Sequence, residues 1–153
     1  MKAPKSPFCA LVMLPSIAFG RLGETEAQIG ARYGQPIEAE VADGVLRKRF
    51  LALGMYVDVM FDGGTSGYEA FWKATSKGQL SQNEIQLILD DNTEGRRWDV
   101  VPSNEGYCWG RSDRSAFATF DPFQGVLFLI TTRFGHQMVE WKRAKEARTP
   151  DGL

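Results

Sequence analysis

Met55-Tyr-Val-Asp-Val-Met-Phe-Asp62, Gly63-Gly-Thr-Ser-Gly67 and Tyr68-Glu-Ala-Phe-Trp-Lys-Ala-Thr75 spell a strand, a turn and a returning strand. Val57, Val59 and Phe61 alternate, which is the period of a strand with one buried face. The pattern recurs in Arg114-Ser-Ala-Phe-Ala-Thr-Phe-Asp121, Pro122-Phe-Gln-Gly125 and Val126-Leu-Phe-Leu-Ile-Thr-Thr132. Both copies end a strand in Phe-Asp and close the turn on glycine.

Upstream of each hairpin lies a helix signal. Leu22 to Tyr33 carries Glu24 and Glu26 at its start and Ala27, Ile29 and Tyr33 as an apolar stripe. Gly34 is placed to cap it and Pro36 forbids its continuation. In Leu80 to Asn92, Ser81 and Glu84 form a capping box, and Ile85, Ile88 and Leu89 form the stripe. Ile37 to Ala42 and Val45 to Leu53 flank Asp43-Gly44, a hairpin signal. Trp98 to Val101 and Tyr107 to Arg111 supply further strands. The expected fold is α+β: two tandem repeats, 22–75 and 80–134, each of one helix and three or four antiparallel strands. The helices are expected on one face of the sheet. Residues 21–134 form one domain in this reading, followed over 135–153 by a short helix, Met138 to Arg148, and a tail.

Residues 1–20 read as a signal peptide. Lys2 and Lys5 precede an apolar stretch from Phe8 to Phe19, and no acidic residue appears before Glu24. The stretch is short of the roughly 20 residues a membrane-spanning helix needs, so no stable span is expected once it is removed. Cleavage after Ala18 reads Ser-Ile-Ala; cleavage after Gly20 reads Ala-Phe-Gly. The expected location is the periplasm or the cell exterior.

Composition narrows the task. Of 153 residues, 43% are hydrophobic and 24% charged, and the net charge is −1 with no basic block, which argues against a nucleic-acid surface. Two cysteines, Cys9 and Cys108, are too few for a disulfide scaffold. His136 is the single histidine, so a multi-histidine metal site is impossible. No metal or other cofactor is expected.

Gly23-x-Thr25, Ile29 and Tyr33-Gly34-x-Pro36 resemble the helix of small exported α+β repeat proteins. These are the beta-lactamase inhibitor protein type and the single-repeat outer-membrane assembly lipoproteins of the SmpA/BamE type. The resemblance implies antiparallel strands joined into a curved sheet, helices over one face, and an open face that grips another protein. Two departures stand out. The inhibitor type is disulfide-stapled, which this chain cannot be, and the assembly type is lipid-anchored with one repeat.

Alternation assigns the faces. Val57, Val59 and Phe61 point to the helices with Ala116, Ala118 and Phe120. Tyr56, Asp58 and Met60 point away with Ser115, Phe117 and Thr119. The charges of Glu69 and Lys73 place Glu69, Phe71 and Lys73 on the open face as well. The expected partner-binding set is therefore Tyr56, Asp58, Glu69, Phe71, Lys73 and Phe117, aromatic anchors within a polar surround. Arg47-Lys48-Arg49 reads as a solvated edge. Asp62 and Asp121 read as turn caps, Cys108 as a small buried side chain and His136 as a surface residue, so no catalytic residue is assigned. The expected function is non-catalytic binding of a protein or cell-envelope partner. The alternative is an enzyme or small-ligand binder using a pocket between the repeats.

Overall fold

Chain turns set the architecture. Asp43-Gly44, Leu53-Gly54 and Gly63-Gly64 all have positive φ at both residues, the conformation of two-residue hairpins whose twist matches that of the strands. The computed structural model describes residues 19–76, 78–103 and 106–148. In chain order they form α1 (Glu26–Tyr33), β1 (Glu38–Ala42), β2 (Val45–Ala52), β3 (Met55–Asp62), β4 (Thr65–Lys73), α2 (Gln82–Asp91), β5 (Trp98–Val101), β6 (Tyr107–Arg111), β7 (Ala116–Asp121), β8 (Val126–Thr131) and α3 (Thr132–Arg148).

All eight strands belong to one antiparallel sheet, in the order β1-β2-β3-β4-β8-β7-β6-β5. This corrects the expectation of two tandem helix-plus-strand repeats. β4 bonds directly to β8, with Tyr68 opposite Ile130 and Phe71 opposite Leu127, so no boundary divides the strands into two units. The recurring sequence features are local devices: a capped helix start, a Phe-Asp strand end and a glycine-closed turn. They do not mark separate bodies.

Thr25 and Ser81 cap α1 and α2, each in a full capping box with Gln28 or Glu84. The stripes Ile29–Tyr33 and Ile85–Ile88–Leu89 are buried against one sheet face. That core holds Phe50, Val57, Val59, Phe61, Phe71, Ala116, Ala118, Phe120, Leu127 and Leu129. Trp98 Nε1 donates to the Leu89 carbonyl at 2.8 Å and ties β5 to α2. Leu22, just upstream of α1, and the preceding Phe19 are also buried there.

α3 is placed otherwise than expected. It begins at Thr132, directly after β8, and lies on the opposite face, so the helices do not share one side. Phe134 is fully buried, 6.5 Å from the Tyr68 ring and 5.9 Å from that of Trp141. Gly67 makes room for it. The β3–β4 register shifts between Met60 and Phe61, so Gly67 is the extra residue of a bulge. A Cβ there would lie 2.7 Å from Phe134 Cγ.

Gly67→Ala is therefore expected to destabilise the fold by about 1–3 kcal/mol, the usual cost of forcing an added carbon into a packed site. Urea denaturation checks it. An unchanged midpoint would show that α3 does not press on the bulge as described.

Candidate functional site

Among the described residues, only α3 covers the sheet face away from α1 and α2, and only in part. α3 crosses the end where Tyr68 and Ile130 sit. Beyond it lie Tyr56 of β3, Trp72 of β4, Phe128 of β8, Thr119 of β7 and Cys108 of β6, all half-buried. The Tyr56 and Trp72 rings are 5.7 Å apart, and the Arg49 guanidinium lies 5.2 Å from the Trp72 ring centre. A guanidinium over an indole is attracted by the ring quadrupole.

Arg49 is held there by a ladder of charges. Asp58 is buried and accepts from Arg49 Nε at 2.7 Å and from Arg49 Nη2 at 3.1 Å. It also accepts from Arg47. Arg49 Nη1 reaches Glu38 at 2.9 Å, and Arg47 Nη1 reaches Glu40 at 3.1 Å. The hydrogen bonds to Asp58 raise both guanidinium pKa values, against the opposing effect of burial. Each arginine is thus shared between two carboxylates. The ladder is an unpromising anion site but a rigid mount for the aromatic pair.

The six sequence-predicted residues divide between the faces. Tyr56, Asp58 and Phe117 lie on the partly uncovered side, with Phe117 43% exposed. Phe71 does not: it is fully buried on the helix side, opposite Val57, with its ring 6.2 Å from Phe19. Glu69 is also fully buried there, opposite Val59 and Leu129. Lys73 shares their face and pairs with Glu84 of α2. The expectation of one exposed set fails because charge was read as exposure in β4, whereas register places its odd-numbered residues against the core. Trp72 and Phe128 were missed for the same reason, and Arg49 because its run was read as a solvated edge. The alternation of Tyr68, Ala70 and Trp72 was a usable signal. Arg47 and Arg49 are not an edge, since β1 lies outside β2, while Lys48 faces the other way and pairs with Glu26.

Asp121 caps its turn as expected, accepting from the Phe123 and Gln124 amides at 2.8 and 3.1 Å. Asp62 instead pairs with Arg133 of α3 at 3.1 Å. Cys108 is half-buried, with its Sγ 3.6 Å from Thr119 Oγ1. With one sheet there are no repeats to hold a pocket between them. A groove of about 460 Å³ lies instead between α3 and β7–β8, lined by Phe117, Ile130, Val139 and the exposed His136. Among the described residues, no group of three or more His, Cys, Asp and Glu could hold a metal ion, and no helix is long and apolar enough to cross a membrane.

Glu69 is the anomaly of the helix-side core. Ser66 Oγ donates to the Arg21 carbonyl at 3.0 Å, and neither Glu69 carboxyl oxygen has a hydrogen-bond partner among the described residues. Burial pushes its pKa up to about 8; Glu24 raises it further, while Ser66 and Arg32 oppose. Its charge in turn helps burial to hold the Tyr33 hydroxyl well above its ordinary value.

No protein-family model matches the chain, and no curated protein is similar to it in sequence. Among solved structures, a cysteine-rich secretory protein from Staphylococcus aureus is similar at 11% identity and a TM-score of 0.43, over 74% of this chain and 45% of that one. The chain thus spans under half of that protein's length, and so distant a likeness carries no argument about this chain's task.

Glu69 predicts a pH dependence. Its folded pKa of about 8 lies above the ordinary 4.5, so the folded state holds the proton more tightly. The resulting stability is fully present below pH 4.5 and is lost as pH rises through about 8, at up to about 1.4 kcal/mol per pH unit. Chemical denaturation of wild type and Glu69→Gln across this window isolates the effect. The wild type should lose stability relative to the variant as pH rises, and a constant difference would contradict the buried, unpaired carboxyl.

Proposed function

We propose that the chain is an exported, non-catalytic binding module that engages a protein partner through the sheet face centred on Tyr56, Trp72 and Phe128. The observation that carries this reading is the half-exposed Tyr56–Trp72 pair with Arg49 mounted over it. Tyr, Trp and Arg are the residue types enriched where binding energy concentrates. Two features make the cluster suited to binding rather than to packing alone. Its arginine is preorganised by Asp58 and Glu38, so little side-chain entropy is lost on docking. Its aromatic centre is bordered by the Arg47–Glu40 pair, the polar rim over apolar middle of protein interfaces. Export is supported by Lys2, Lys5 and the short apolar stretch that follows them.

Site-specific photocrosslinking in the native host tests the reading. A photoreactive side chain at Tyr56 should give one dominant protein adduct, and the same group at Lys48, on the other face, should not. Trp72→Ala should weaken that adduct's formation by about 30-fold, the equivalent of a 2 kcal/mol hot spot, while the variant still unfolds cooperatively. Equal adducts from both faces, or none from Tyr56, would contradict the binding face.

A further inference from the structure

Phe19 and Gly20 are built into the helix-side core. The Phe19 ring is 7% exposed and meets Phe71 edge-on. Its backbone nitrogen lies 2.6 Å from Asp91 Oδ2 at the end of α2. Gly20 N donates to the Tyr33 hydroxyl, and the Gly20 carbonyl accepts from Asn92 Nδ2 at 3.0 Å. A Cβ on Gly20 would lie 2.6 Å from the Tyr33 oxygen, so a larger residue there would have to push the Tyr33 ring aside.

We propose that the chain is cut between Ala18 and Phe19, and that the new α-ammonium of Phe19 is held by the Asp91 carboxylate. This rests on the export reading above and fixes its processing site. Three observations converge on this bond. Ser16 and Ala18 place small residues third and first before it, the pattern that leader peptidases accept. The alternative bond, after Gly20, would remove the Phe19 ring from its packing on Phe71 and both hydrogen bonds made by Gly20. Finally, a carboxylate already stands where the cut would create a positive charge, so cutting turns an amide–carboxylate hydrogen bond into an ammonium–carboxylate ion pair.

The step is an amide hydrolysis catalysed by a host leader peptidase. Water adds at the Ala18 carbonyl and the Ala18–Phe19 bond breaks. Ala18 leaves as a carboxylate, and the Phe19 nitrogen takes up a proton to become ammonium. The cut precedes folding, because Phe19 is buried once the core has closed.

N-terminal sequencing of the protein from its own host decides the site, with Phe19 expected. A start at Arg21, or at any other residue within the first strap of chain, overturns the site and leaves export standing. An intact Met1 or Lys2 overturns export and this inference together. A second arm uses chains released from a fusion so that they begin at Ala18, Phe19 or Arg21. The Phe19 chain should melt roughly 5–10 °C above the Arg21 chain, as loss of a buried ring implies. Asp91→Asn should lower the melting point of the Phe19 chain at pH 7 more than that of the Ala18 chain. Equal lowering in both would overturn the ion pair.

Discussion

The pairing of β4 with β8 is the contact on which the rest depends. It sets Glu69 beside Leu129 and Ala70 beside Phe128, and so makes one sheet of eight strands. It also decides which side of β4 meets which layer. Phe71 and Glu69 go to the helices, and Tyr68 and Trp72 go to the other face. A shift of one residue would exchange them, since strand side chains alternate. The Gly67 bulge protects this arrangement by absorbing one residue before the pairing begins, and Phe134 of α3 fills the space the missing side chain leaves.

The two faces then do different work. The helix side is closed by α1, α2 and the strap of Phe19 to Leu22, whose amides are bonded to Asp91, Asn92 and Tyr33. Within this well-satisfied layer Glu69 alone keeps two unpaired buried oxygens among the described residues. An unpaired charge is far costlier to bury than a neutral carboxyl, which is why the proton stays on. The opposite face spends its charges differently. There Asp58 is surrounded by arginines, and the ladder holds an aromatic pair half in water.

Local features were legible in the sequence because local physics governs them. Asp43-Gly44 adopts the positive φ of its turn, and Ser81 with Glu84 forms its capping box. β3 buries Val57, Val59 and Phe61 as their alternation indicates, and β5 and β6 form within the expected bounds. What failed was non-local. In Tyr68 to Lys73 the period separates Tyr68, Ala70 and Trp72 from Glu69, Phe71 and Lys73 but does not say which set meets the helices; that choice is made by pairing with Val57 and Val59. Thr132 and Phe134 are strand-like residue types, yet they open α3, because Phe134 is buried against the bulge. Tandem repetition was inferred from recurring caps and corners, whereas continuity of a sheet is settled by a strand pair distant in sequence. Of the expected site, Tyr56, Asp58 and Phe117 share the predicted face, and the charges of Glu69 and Lys73 misled about the rest.

Native-state hydrogen exchange along β4 and β8 tests the central claim most directly. If these strands join at the middle of one sheet, their paired amides open only with global unfolding. They should then exchange more slowly than those of the outer strands β1 and β5. Fast exchange throughout β4 or β8, at the rate of an edge strand, would contradict the single sheet and with it the assignment of both faces.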